Sequence, residues 1–174
     1  MPVLTLEPLN TAAFAPFGDV INIVGEPSFP INAGTTARYH DLGAIDVLGG
    51  SARAAISMAR GQGFSLPMAL RLLERHPLGS QAWLPRGKTP FVVVVAPNGA
   101  DDRPDMRQLR AFYAQGGQGV NYHAGTWHHP LLTHDEEGQS GDFYVVDRIG
   151  TEANCDEVVL TGDWTVAGPC PNGE

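Results

Sequence analysis

Three of the chain's six histidines, His123, His128 and His129, crowd into the stretch NYHAGTWHHP (residues 121–130) beside Tyr122 and Trp127. Imidazole is the side chain whose ordinary pKa, roughly 6.5, lies near working pH, so it suits proton transfer or metal ligation. A second group stands upstream in LERHPLGSQAWLP: Glu74, His76 and Gln81. Read as a strand, Glu74 and His76 share a face with Leu70 and Leu72, because side chains alternate with period two. By the same rule His128 and His129 point to opposite sides of an extended segment. One of them at most enters an interior, and His129 reads as a surface or capping residue before Pro130. Imidazole and carboxylate together suit a divalent transition ion such as Zn, Ni, Mn or Fe. The plainer alternative is that Glu74 and His76 form a hydrogen-bonded network in the core.

The elements that must bring these segments together read as mostly antiparallel β. The 174 residues suit one domain over 1–174, long enough to bury roughly 70% of the unfolded surface. The 21 glycines and 14 prolines are spread along the length, as turns between short strands would be. Strands are expected at Val3–Glu7, Val20–Val24, Ala54–Arg60, in a pair around Leu70–Pro85, at Phe91–Val95, around Val120–Leu132 and at Asp142–Arg148. FVVVV is apolar throughout and reads as buried on both faces. Thr11 is placed to cap a short helix that Pro16 and Gly18 end. RPDMRQLRAFYAQGG is the strongest helical pattern, with Pro104 in the first turn and Met106, Leu109, Phe112 and Tyr113 as its apolar stripe. From about residue 162 an irregular tail is expected. Jelly rolls and small barrels are the usual ways such a chain manages its sheet edges.

The net charge of −8 argues against a nucleic-acid partner. No apolar run approaches the ~20 residues of a membrane span, and the N-terminus does not read as a signal peptide. Cys155 and Cys170 make no disulfide framework, which suits the cytoplasm. There is no G-x-S-x-G nucleophile motif, no phosphate loop and no paired-cysteine zinc site.

The order Gly117, His123, Gly125, His128 resembles the second motif of the cupin superfamily, whose last histidine is a metal ligand; cupins normally carry proline where His123 stands. Glu74, His76, Gln81 and Gly87 take the places of the first motif, with Glu for its first histidine and Gln for its glutamate. This resemblance implies a mainly β, cupin-like jelly roll or barrel in which Glu74, His76, Gln81 and His128 converge as metal ligands. A longer resemblance rests on FGDVI, INAGTTARYHDL, LERHPLGSQAWLP, FVVVVA, GQGVNYHAGTWHHPLL and DFYVVDR, in that order from about Phe17 to Cys155. Together these strings are similar to the ureidoglycolate lyase family. The resemblance implies a cupin-like homodimer that splits ureidoglycolate into glyoxylate and urea during allantoin breakdown, with a divalent metal, nickel in the usual description.

Ureidoglycolate is a carbinolamine bearing a carboxylate, so its cleavage needs a base for the hydroxyl, a donor for the ureido group and a cation for the carboxylate. His128 is the candidate ligand or base, with His76 and Glu74 beside it; His123 is the candidate for proton transfer if His128 is committed to metal. Arg38 suits the carboxylate through two parallel hydrogen bonds, with a surface ion pair as the alternative. Asn32 or Tyr122 would take the ureido oxygen. Trp127 forms either an apolar wall or plain core. His40 either pairs with Asp41 or lines the site, and His134 is expected in solvent. Two rival functions stay open: an amidohydrolase that releases ammonia from the same substrate, and a non-catalytic cupin that binds a small hydroxy or keto acid.

Overall fold

A computed structural model describes residues 2–168. Strand β1 (Val3–Pro8) leads into a one-turn helix α1 (Thr11–Phe14), followed by β2 (Gly18–Ile21), β3 (Phe29–Ile31) and β4 (Thr36–Arg38). Next come β5 (Arg53–Gly61), β6 (Met68–Ala69), β7 (Leu72–Arg75), β8 (Gln81–Pro85) and β9 (Phe91–Ala96). The remainder is β10 (Arg110–Ala114), β11 (Gly119–Tyr122), β12 (Trp127–His128), β13 (Leu132–Thr133), β14 (Gly141–Ile149), β15 (Asp156–Val159) and β16 (Thr165–Ala167). A curled nine-stranded sheet runs β15-β7-β12-β9-β10-β1-β16-β6, with β13 also on β9. It faces a five-stranded sheet ordered β2-β11-β8-β14-β5. The fold is the mainly β, cupin-like one that the sequence led us to expect.

β9 organises the interior. Phe91, Val93 and Val95 pack between the two sheets with Phe14, Phe112, Val120, Tyr122 and Phe143, while Val92, Val94 and Ala96 turn to the other side with Leu6, Leu73, Trp127 and Val166. A strand apolar on both faces is what burial on both sides requires. Gly18 is needed at its place: a Cβ there would lie 2.1 Å from the Asn121 carbonyl oxygen, so only glycine lets β2 close on β11.

The expected helix at Pro104–Gln115 does not form. Met106–Gln108 is a single 3-10 turn capped by the Asp105 side chain, and Arg110–Ala114 is a central strand, antiparallel to β9 and parallel to β1. Its residues alternate: Ala111 and Tyr113 join one core cluster, Phe112 and Ala114 the other. Four successive buried residues, Ala111–Ala114, apolar on both sides, bury more between two strands than along one helix face, so tertiary pairing overrides local propensity. The cap of α1 is Asn10 rather than Thr11; its Oδ1 accepts from the Ala13 N–H. The segment expected as one strand around Val120–Leu132 is three short ones. The tail is also shorter than expected, because Thr165–Ala167 pairs with β1 and β6. Cys170 and the rest of 169–174 lie outside the described residues.

Candidate active site

The break between β11 and β12 creates the site. Gly119–Tyr122 belongs to the five-stranded sheet, and Trp127–His128 to the nine-stranded one. The chain crosses between them through a turn in which Gly125 adopts φ +80, open to glycine and strained for other residues. The Gly125 N–H donates to the His76 carbonyl, 2.9 Å, tying this turn to the end of β7. On arrival His128 sits directly opposite Glu74 in the β12–β7 register. Trp127, one residue earlier, points to the other side of the sheet. There it is 2% exposed, donates from Nε1 to Asn98 and lies under the Arg75 guanidinium, 4.7 Å from its ring centre.

Glu74, His76 and His128 offer ligand atoms that all lie within 4.8 Å of one another. His128 is 2% exposed and stacks on Tyr122, with ring centres 4.2 Å apart and planes 12° from parallel. Its Nδ1 lies 2.9 Å from the Thr126 carbonyl, and Nδ1 of His76 lies 2.7 Å from the Asn154 carbonyl. A carbonyl only accepts, so both Nδ1 atoms carry hydrogen, and in the neutral rings both Nε2 atoms carry lone pairs. Both Nε2 atoms are buried without a hydrogen-bond partner among the described residues. His128 Nε2 is 3.5 Å from Glu74 Oε1, an ion-pair distance but longer than a charge-assisted hydrogen bond. When protonated, His128 holds the Glu74 carboxyl below the usual carboxylate range, against partial burial, which pushes the other way. Two orphaned imidazole lone pairs facing one carboxylate, each ring fixed through its other nitrogen by a main-chain carbonyl, form a donor set that fits a divalent metal. Burial, followed by the Glu74 charge, raises the Tyr122 phenol well above its ordinary value, so it stays a donor.

A cavity of about 300 Å³ opens beside the trio, lined by His76, Ser80, Gln81, Asp147, Asn154 and Cys155 among others. Gln81 reaches this cavity, but its Oε1 accepts from Trp83 Nε1, 2.8 Å, so that oxygen is already engaged. Cys155 is a free thiol 4.0 Å from Glu74; burial and then the Glu74 charge raise its pKa, which keeps it protonated.

The other residues singled out from the sequence stand elsewhere. His123 Nε2 lies 3.1 Å from Asp19, on a side chain 45% exposed. Asn32 and Arg38 lie on the exposed β3–β4 hairpin, and the Arg38 side chain has no ion pair among the described residues. His40 packs its ring on Phe29 rather than on Asp41. His129 turns its Nδ1 to the Pro130 carbonyl, and burial lowers its pKa. His134 is buried rather than solvated: it is 7% exposed, with Nδ1 near the Phe64 carbonyl and its ring against Tyr113. Sequence reading missed Asp147 and Asn154. Asp147 did leave a signal, as a charge continuing the inward alternation of Phe143 and Val145.

Residues 1–167 match a family model described as ureidoglycolate lyase. The chain is 49% identical over 163 residues to the ureidoglycolate lyase of Stutzerimonas stutzeri (strain A1501), covering 94% of this chain and 93% of that one. It is also 49% identical over 166 residues to the ureidoglycolate lyase of Burkholderia cepacia, covering 95% and 90%. The ureidoglycolate lyase of Pseudomonas aeruginosa (strain LESB58) is 49% identical over 163 residues, covering 94% of each chain. The match takes in both sheets and every residue of the trio, and the chain belongs to the ureidoglycolate lyase family.

Proposed function

We propose that this protein cleaves (S)-ureidoglycolate to glyoxylate and urea, as a cytoplasmic homodimer serving allantoin breakdown. The observation that carries the reading is the pair of buried, unpartnered Nε2 lone pairs facing Glu74, within a chain of the ureidoglycolate lyase family. Glu74, His76 and His128 would hold a divalent ion, nickel by family likeness. Such an ion supplies Lewis acidity to the hydroxyl and carboxylate oxygens of the substrate.

The chain's own part is proton movement and orientation. Cleavage removes the hydroxyl proton, passes the C–N electron pair to nitrogen and returns one proton to the departing urea, so no net proton is needed. His76, which lines the cavity, is the acceptor and returner, and Glu74 and His128 would keep the ion while His76 carries the proton. Positioned acid–base groups typically contribute ~10²–10⁴-fold in rate. Tyr122, held protonated, offers a hydrogen bond to the ureido oxygen.

We keep Arg38 as the grip on the substrate carboxylate. Arg75 is spent on Asp102, Asp156 and Asn98, and Arg148 on Glu152 and the Leu48 carbonyl. Arg38 stands on an arm whose Ile23, Val24, Phe29, Ile45 and Leu48 are exposed, near in sequence to the edge strand carrying exposed Ile56 and Met58. So much exposed apolar surface supports self-association, and a second copy is what would bring the arm to a cavity. Cys155 as a free thiol supports the reducing compartment.

The test is product analysis on purified protein, before and after chelation, with elemental analysis alongside. Urea and glyoxylate in equal amounts are expected. Ammonia without urea would replace the lyase by an amidohydrolase, and binding of glyoxylate without turnover would leave a non-catalytic cupin.

A further inference from the structure

Among the described residues, two that line the cavity carry a buried polar atom without a partner, His76 Nε2 and Asp147 Oδ1. The first belongs to the trio; the second has no task in the chemistry above. Native proteins pair most buried acceptors, and an orphan lining a cavity points to a ligand that supplies the missing donor.

The register places Asp147 in line with the site. Tyr122 pairs with Gln81 across β11 and β8, and Gln81 pairs with Asp147 across β8 and β14. Directly paired residues of neighbouring antiparallel strands project from the same face. That face is the inner one, because Tyr122 stacks on His128 and because Trp83, Phe143 and Val145 alternate inward on the same strands. The row Tyr122, Gln81, Asp147 therefore leads from the trio along the floor of the cavity.

The hydrogen-bonding polarity of the row is fixed. Trp83 Nε1–H only donates, so it faces the Gln81 oxygen and leaves the Gln81 amide nitrogen, which makes no hydrogen bond among the described residues, as a donor. Asp147 Oδ1 is an acceptor. One donor beside one acceptor complements a carbamoyl group, whose C=O accepts while its NH₂ donates. We propose that Gln81 and Asp147 form the ureido subsite, with Asp147 accepting from the terminal NH₂ and Gln81 donating to the carbonyl. This rests on the ureidoglycolate reading and extends it to orientation and specificity. The Asp147 carboxylate repels the substrate's own carboxylate, so the acid end is directed to the trio. A hydroxy dicarboxylate, with a second anion where the carbamoyl should be, is turned away.

The test is Asp147→Asn, an isosteric change, with folding checked by thermal melting. For ureidoglycolate we expect kcat/KM to fall at least about tenfold, mainly through KM, since hydrogen bonds to charged groups are the stronger ones. The inhibition constant of glyoxylate, which has no carbamoyl group, stays within about twofold of wild type on the same reasoning. Malate is expected to inhibit the wild type poorly and to become at least about tenfold tighter in the variant as the like-charge clash disappears. Unchanged ureidoglycolate kinetics and unchanged malate inhibition, in a wild type that releases urea, would overturn the subsite alone. A wild type that releases no urea removes the parent reading and the subsite with it.

Discussion

Replacing His128 by alanine separates chemistry from folding more cleanly than any other change at the site. His128 is 2% exposed, stacked on Tyr122 and opposite Glu74, so an unfolded variant is the obvious worry. The losses are the packing of a buried ring, about 2–5 kcal/mol for a large-to-small core change, and the hydrogen bond to Thr126, about 0.5–1.5 kcal/mol. Against them stands the removal of a buried Nε2 without a partner among the described residues, which itself carries a penalty of about 1–3 kcal/mol. The balance is a loss of roughly 1–4 kcal/mol, a fall in Tm of roughly 2–16 °C in a chain of this length, so the melting curve decides whether the variant is folded. Turnover, in contrast, should fall by ~10²–10⁴-fold, because the trio loses a ligand or proton acceptor. The assay is urea release at saturating ureidoglycolate, with melting curves from pH 3 to pH 8 on the same preparations (a range spanning roughly the carboxylate and imidazole pKa values). Glu74 has a lowered pKa, so it contributes stability above its unfolded pKa, and that contribution is lost as pH falls through its folded one. Without His128 the chief lowering cause is gone and burial still raises the pKa, so this acid-side loss should shrink. A folded variant with wild-type urea release refutes the assignment of His128, whatever its melting curve.

Further tests address the metal, the core, the arm and the interface. Chelation should abolish urea release, and adding back one divalent ion should restore it; activity surviving exhaustive chelation, with no metal found by elemental analysis, removes the ion from the proposal. Leu73→Ala, at 0% exposed between β15 and β12, should destabilise by about 2–5 kcal/mol in denaturant melts and leave KM within about twofold. Arg38→Lys should raise KM more than it lowers kcat, since the parallel pair of hydrogen bonds is lost, and an unchanged KM would end the carboxylate role. Ile56→Glu together with Met58→Glu, on the exposed edge strand, should halve the mass seen by light scattering; an unchanged mass would place self-association elsewhere or exclude it.

Much of the fold was legible because alternation and turn residues write themselves into short strands. Phe91–Val95 reads as a strand buried on both faces and Glu74 and His76 as sharing one face, while their meeting with His128 followed only from the resemblance to cupins. What was not legible was anything decided by partners distant in sequence. Arg110–Ala114 carries a respectable helical stripe, and only its place between β9 and β1 makes it a strand. Gln81 reads as a ligand until Trp83, two residues on, is seen to hold its oxygen. His134 stands in a polar loop, yet Phe64 and Tyr113 cover it from elsewhere in the chain. Asp147 continues the inward alternation of Phe143 and Val145, but a charge near a strand's end gives no hint of a cavity until β8 is seen beside it.

The passage from Tyr122 to His128 also sets how this enzyme can be altered. These two residues belong to opposite walls, and their rings touch at 4.2 Å, so the site acts as a gauge of the distance between the walls. A bulkier side chain at Phe112 or Phe143, neither of which belongs to the trio or the cavity lining, would push the walls apart. It would register first as impaired turnover and only later as lost stability. Attempts to make the protein hardier should therefore begin on the far side of β9, where Val92, Val94 and Ala96 face away from that gap.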